Sequence, residues 1–230
     1  RAAEQRKNEL VMYLAHDIRT PLTSIIGYLK ILEEIPNLPE AEKEKYIHIS
    51  LEKTYRLENM IHEFFEITRY NTQKITIAPK MVDLYYLLVQ VIDEHVPRFT
   101  EHGNYITFHA KDPLDINGDP EKLARVFNNL LKNAAAYSSA GTEVIVSAEE
   151  TAENVIVTVS NYGKTIPDDK LDTLFEKFYR LDESRTSDTG GTGLGLAIAK
   201  EIITLHGGTI TAASANGQTT FTVVLPGAKK

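Results

Sequence analysis

The sequence predicts two folds in series. The first is an antiparallel helical hairpin that dimerises into a four-helix bundle, and the second is a two-layer α/β sandwich with helices on one face of a mixed sheet. Three observations predict this. Apolar residues recur in steps of three and four from Leu10 onward, that period ends at about residue 72, and beyond it short β-branched runs alternate with helical stretches.

The first helix spans about 10–35, with Leu10, Leu14, Ile18, Leu22, Ile25, Leu29 and Leu32 on one stripe. A second stripe, Ile47, Leu51, Leu57, Ile61, Phe64 and Thr68, follows the connection "EEIPNLPEAEKE". A short loop between two such helices makes a hairpin. One hairpin cannot bury both stripes, so a homodimer with a two-fold interface is expected. The domains are therefore expected at 1–72 and 73–230.

The second domain opens on "KITIAPKMV" as a strand, followed by a helix over 84–102 and strands at "NYITFHA" and "LDING". A helix is predicted over 120–138, then strands at "EVIVSAEE" and "NVIVTVSN". After a polar, glycine-rich stretch to 193 come a helix over 194–206 and strands at "GGTITAAS" and "TTFTVVL".

Composition narrows the function. The 230 residues suffice for one large or two ordinary domains, and 42% hydrophobic with 25% charged residues is ordinary for a globular chain. A net charge of −7 argues against nucleic acid or an anionic membrane surface as partner. The absence of cysteine excludes disulfides, thiolate metal sites and a cysteine nucleophile. No apolar run approaches the ~20 residues of a membrane span, the longest being "LYYLLVQVI" with Gln90 inside it. The opening "RAAEQRKNEL" is polar and unlike a signal peptide. Because the chain starts on Arg1 with helical periodicity under way by Leu10, it is expected to be a piece of a longer protein.

One stretch of the first helix, "YLAHDIRTPLTSIIGYL", carries chemistry. At about 100° per residue His16 lies about 120° or more from every stripe residue, so it points outward, and Thr20 and Met12 share its face. Asp17 is placed to hold one ring N–H, which leaves the other nitrogen free to attack an electrophilic phosphorus, or else is a solvated helix charge. Thr20 is placed to orient a water for the reverse hydrolysis. Pro21 removes the helical partner of the Asp17 carbonyl and predicts a kink, a plausible hinge.

The second domain offers an electrophile. "NNLLKNAAAYS" sets Asn129 and Asn133 at i, i+4 on one helix face, where amide oxygens suit Mg²⁺. "SNYGKTIP" is a strand end turning through Gly163. "GGTGLGLAIAK" has four glycines before a helix, letting backbone amides approach phosphate at a helix N-terminus, though it lacks the lysine of a P-loop. "FEKFYR" offers Arg180 as a phosphate cation and Phe178 as a lid anchor. Each motif taken alone also reads as ordinary turn, loop or core, and it is their order along the chain that carries the argument.

In that order they resemble the bacterial sensor histidine kinases of two-component systems over essentially the whole chain. "HDIRTPL" resembles the phosphoacceptor box, "NLLKNAAAYS" the N box, "NYGKTIP" and "GTGLGLAIAK" the glycine boxes, and "FEKFYR" the F box. The wording of "EFFEITRYN", "DLYYLLVQ" and "FEKFYRLDESRTSDTGGTGLGLAIAKEI" is most similar to the vancomycin-resistance branch of that family.

The resemblance implies a dimerisation and phosphoacceptor domain followed by a GHKL-type (Bergerat) ATP-binding sandwich. It implies phosphorylation of His16 by ATP with Mg²⁺, transfer to a response-regulator receiver domain, and dephosphorylation of that regulator with Thr20 positioning water. It places Asn129, Asn133, Tyr137, Asn161, Gly163, Ile166, Phe178, Arg180, Gly191, Thr192, Gly193, Leu194 and Gly195 around the nucleotide, with Asn133 as the Mg²⁺ ligand. Membrane spans and a sensor would lie in a missing N-terminal part, leaving this portion cytoplasmic and out of contact with the membrane.

Two positions depart from the family pattern. Asn161 stands where an aspartate usually accepts from the adenine amino group, so ATP binding is expected to be weaker by ~0.5–1.5 kcal/mol. Ala136 stands where a basic residue is common, and Lys132, one turn earlier on the same face, either serves in its place or is a solvated lysine. Two other readings remain at this point: an ATPase of the same fold driving conformational change, and a dimeric scaffold with an impaired nucleotide site. The first has no use for an outward His-Asp-x-x-Thr-Pro helix.

Overall fold

The computed structural model describes residues 2–72, 77–177, 179 and 193–228; among the first 72, side chains are described for 18–58, 60 and 61. The chain divides into two compact units, Arg1–Lys74 and Ile75–Lys230.

The first unit is a hairpin of α1 (Ala2–Glu34) and α2 (Glu40–Thr72). Glu40 and Glu42 fall in the first turn of α2, where carboxylates favour a helix start, and the Tyr28 and Tyr46 rings stack across the hairpin at 5.4 Å. Helix α1 runs through Pro21 without interruption, and Pro21 is buried. The hydroxyls of Thr23 and Ser24 donate to the carbonyls of Arg19 and Thr20 at 2.8 and 3.2 Å, supporting the backbone around the proline. The predicted stripe is only partly covered within one chain. Ile18, Ile25 and Leu32 are half-buried, whereas Leu22, Leu29 and, on α2, Leu51 remain 43%, 51% and 50% exposed.

The second unit follows the predicted element order, with a short helix and a 3-10 turn added inside the stretch expected to be polar and glycine-rich. It contains β1 (Lys80–Asp83), α3 (Leu84–Glu101), β2 (Tyr105–Ala110), β3 (Asp115–Gly118), α4 (Pro120–Tyr137), β4 (Glu143–Glu150) and β5 (Asn154–Tyr162). Then come α5 (Asp168–Leu171), a 3-10 turn at Asp172–Phe175, α6 (Gly195–Leu205), β6 (Thr209–Ala215) and β7 (Gln218–Pro226). Five strands form the main sheet in the order β2-β4-β5-β7-β6, with β2 and β4 parallel and the other pairs antiparallel. The parallel pair needs a crossover, supplied by β3 and α4.

Alternate residues on the inner strands (Val144, Val146, Val155, Val157, Val159, Phe221, Val223) are buried beneath the helices, and α4 packs against both α3 and α6. The sequence places "KITIAPKMV" and "LDING" among the strands of one mixed sheet. They form instead a separate antiparallel ribbon, β1 with β3, in which the first strand is only four residues long. Pro79 cannot donate to a ladder, and the Ala78 N–H bonds the Asp119 carboxylate at 3.2 Å rather than a neighbouring strand.

Candidate active site

Helix α4 organises one side of the site. Asp119 caps it, accepting from the backbone N–H groups of Glu121 and Lys122, and Pro120 fits the first turn because its missing N–H would have no helical partner. Leu123, Val126, Phe127, Leu130, Leu131 and Ala134 turn into the core. That leaves Asn129 and Asn133 half-buried and Tyr137 exposed along another face at four-residue intervals, a span of ~12 Å.

Asn129 is not free to act as a ligand with both amide atoms. Its Nδ2 donates to the Gly195 carbonyl at 3.0 Å, tying α4 to the first residue of α6. A Cβ at Gly195 would lie only 3.4 Å from the Asn129 amide carbon, so glycine permits this close packing. The Asn133 side chain makes no hydrogen bond among the described residues and keeps its amide oxygen available. Gly193 holds φ at +75°, the left-handed region that glycine occupies without strain, and Leu194 is buried. Among the described residues no side chain caps the start of α6, so its first N–H groups are open to solvent or an anion.

At its other end α4 meets the glycine turn after β5. The Ser139 N–H bonds the Tyr162 carbonyl at 2.7 Å, and a Cβ at Gly163 would lie 2.2 Å from the Tyr137 carbonyl oxygen. Residue 163 must therefore be glycine for the chain to pass. Asn161 is buried in β5, while Ile166 is half-buried with its N–H bonded to the Ser214 hydroxyl at 2.9 Å. Tyr137 thus meets Gly163 at one end of the α4 face, and Asn129 meets Gly195 at the other.

Two supports are unannounced by the sequence motifs. The β6–β7 hairpin turn grips the glycine turn from behind: Gly163 N–H donates to the Gly217 carbonyl at 2.7 Å, and Gly217 N–H to the Thr165 hydroxyl at 2.8 Å. Asn216-Gly217, both with positive φ, is a hairpin-turn pair that could have flagged the turn, though not what it touches. Asn104, buried at the start of β2, donates through Nδ2 to the carbonyls of Ser139 and Thr142 at 2.7 and 3.0 Å, and nothing local in the sequence marks that role.

A third support ties α4 to α6 at their far ends. His206 accepts the Asp119 N–H at Nε2 (2.9 Å), which leaves Nδ1 to donate to the Ile202 carbonyl at 2.8 Å. A side chain at Gly118 would strike Leu123 and His206, at 2.7 and 3.0 Å. Burial raises the pKa of the Asp119 carboxyl, but the N–H groups of Ala78 and Lys122, with the Lys122 ammonium and Glu121 N–H, outweigh it and hold the group below its usual value.

In the first unit, the backbone of residues 16 and 17 lies within α1, and the side chains of His16 and Asp17 fall outside the described residues. Thr20 is exposed on the same helix. Phe178, Arg180, Gly191 and Thr192 also lie outside the described residues. Lys132 is exposed and Ala136 half-buried on α4. Among the described residues no helix is long and apolar enough to cross a membrane, and no cluster of His, Asp and Glu suits a metal ion.

Residues 6–73 match the His Kinase A (phospho-acceptor) domain, and residues 118–229 match the histidine kinase-, DNA gyrase B-, and HSP90-like ATPase family. This chain belongs to the sensor histidine kinases. It is 59% identical to the sensor protein VanS of Enterococcus faecium, over 97% of this chain and 58% of that protein. It is 45% identical to the sensor protein VanSC of Enterococcus gallinarum, over 97% of this chain and 62% of the other. The chain therefore spans about three fifths of the length of these curated relatives. Among solved structures, histidine kinase ThkA in complex with the response regulator TrrA shares the fold, with TM-score 0.78 and 23% identity over 98% of this chain and 64% of that one. The chain is thus a VanS-like sensor histidine kinase, as the wording of its motifs led one to expect.

Proposed function

We propose that this chain is the catalytic portion of a sensor kinase that phosphorylates His16 with ATP and passes the phosphoryl group to an aspartate of a VanR-like response regulator. Residues 1–72 would form the dimerisation and phosphoacceptor domain and 73–230 the ATP-binding domain. The observation that carries the reading is the α4 face, which has one end at the Asn161–Gly163 turn and the other at the uncapped start of α6. Its ~12 Å length matches the reach from a purine to its phosphates.

In this reading Asn161 and Ile166 hold the base, Tyr137 flanks it, and Gly193, Leu194 and Gly195 present backbone N–H groups to the phosphates. Phe178, Arg180, Gly191 and Thr192 complete the phosphate side. The Asn133 amide oxygen, with the free oxygen of Asn129, is a hard-donor set that fits Mg²⁺, which when bound neutralises phosphate charge. Asp17 orients the His16 imidazole. The free ring nitrogen attacks the γ-phosphorus, forming the N–P bond as the bond to the ADP oxygen breaks. The N–P bond then breaks as a receiver carboxylate oxygen takes the phosphoryl group. Thr20 positions water for hydrolysis of the phospho-regulator.

The uncovered Leu22, Leu29 and Leu51 support a homodimer. Nothing in the charge or the helices calls for nucleic acid or a membrane surface, and we place this portion in the cytoplasm of a membrane-anchored sensor controlling glycopeptide-resistance genes. The test is incubation with γ-labelled ATP: acid-labile, base-stable label is expected on the wild type and absent in His16→Gln. Label that persists in that variant would overturn the assignment, and ATP hydrolysis without label would favour an ATPase of the same fold.

A further inference from the structure

Of the two fully buried asparagines of the second unit, Asn104 and Asn161, only Asn161 has nothing among the described residues to orient its side chain. The Asn104 amide is fixed by two carbonyls and the Asn129 amide by the Gly195 carbonyl. Asn161 is only 3% exposed, yet its side chain makes no hydrogen bond among the described residues. Its neighbours are already satisfied. Thr219, its register partner on β7, shares a hydrogen bond with Ser214 at 2.9 Å, and Ser160 shares one with Thr220 at 2.8 Å. The Asn161 amide lies 3.8 Å from the Cβ position of Gly163, and so faces the turn that the proposed function assigns to the base.

A buried carboxamide carries one acceptor and one donor group, and which atom points where is set by its partners. Adenine offers a donor at its C6 amino group and an acceptor at N1. A 6-oxopurine offers the reverse, an acceptor at C6 and a donor at N1. A carboxylate only accepts, so where it faces C6 it pairs with the adenine amino group and meets a 6-oxo oxygen with negative charge. A carboxamide without protein partners matches either base by turning through 180°, and no protein hydrogen bond is lost when it does.

Resting on the reading of this turn as the base subsite, we propose that Asn161 makes the site tolerant of the purine edge, so that it takes 6-oxopurine nucleotides as well as adenine ones. Inosine diphosphate is the suitable probe, because it differs from ADP at the C6 and N1 edge alone. Calorimetry on the whole chain with ADP and inosine diphosphate is expected to give dissociation constants within about tenfold of one another, and Asn161→Asp is expected to raise the ADP preference at least about tenfold further. A wild-type preference for ADP above tenfold, or a ratio that Asn161→Asp leaves unchanged, overturns the inference. Circular dichroism checks that the variant folds, and if it does not, the wild-type ratio decides alone. ADP binding without inosine diphosphate binding sinks this inference and leaves the ATP-binding reading intact. If neither nucleotide binds, both are overturned.

Discussion

Gly163 shows how tightly a single position can be constrained. A methyl group there would lie 2.2 Å from the Tyr137 carbonyl, which belongs to a helix end already held by Ser139 and Asn104. Neither side can yield cheaply, so Gly163→Ala is expected to weaken ADP binding at least about tenfold by calorimetry, with a smaller loss in melting temperature. Asn161→Asp is expected to bind ADP more tightly by ~0.5–1.5 kcal/mol, through a charge-assisted bond to the amino group. His95 is a residue that no motif would have marked. It is buried on α3, with Nδ1 donating to the Val91 carbonyl at 3.0 Å. Burial lowers its pKa, Lys132 and Arg98 lower it further, and Glu94 and the Val91 bond only partly oppose them. In the window below the ordinary histidine value the unfolded chain therefore binds more protons than the folded one. His95's contribution is complete above about pH 6.5 and is lost as pH falls toward its depressed value. Thermal melts between about pH 7.5 and 5.5 should show this fall, and His95→Gln should flatten it.

Among the elements, the pair α4 and α6 carries the site, and it is fastened at two places. Asn129 bonds Gly195 at the start of α6, and His206 bonds Asp119 at the start of α4. His206→Leu strands the Asp119 N–H and the Ile202 carbonyl in a buried setting, which is expected to cost about 1–3 kcal/mol by denaturant unfolding. The β6–β7 hairpin is fastened to the glycine turn by Thr165, so Thr165→Val leaves the Gly217 N–H without its partner. That change is expected to raise KM for ATP several-fold in the labelling assay while leaving kcat nearly unchanged, since in the proposed reading the turn serves the base and not the phosphates. The bounds of α3 and α4 lie within a residue of the helices expected over 84–102 and 120–138. The first strand begins at Lys80, because Pro79 has no N–H to give a ladder and the Ala78 N–H is taken by the Asp119 carboxylate.

At the scale of the whole molecule, the hairpin leaves Leu22, Leu29 and Leu51 largely in water, an arrangement that a second copy would relieve. Leu29→Asp with Leu51→Asp is expected to convert a dimer into monomers by sedimentation, with the second unit still binding ADP. Dimeric behaviour that survives both changes would reject the stripe as the interface.

The sequence by itself determined what local chemistry can encode. Helical phase put His16 opposite the apolar stripe, spacing put Asn129 and Asn133 one turn apart, and the glycines marked where backbone must approach a neighbour. Only the tertiary structure decided how those groups are spent. It committed one amide of the asparagine pair to Gly195, left the Asn161 side chain buried without a hydrogen bond among the described residues, withdrew two strands into their own ribbon, and drew Thr165, Asn104 and His206 into the frame of the site. The physical reason is range. Periodicity reports on neighbours within a turn or two, whereas these hydrogen bonds join residues 35 to 87 positions apart and exist only once the sheet and helices have packed.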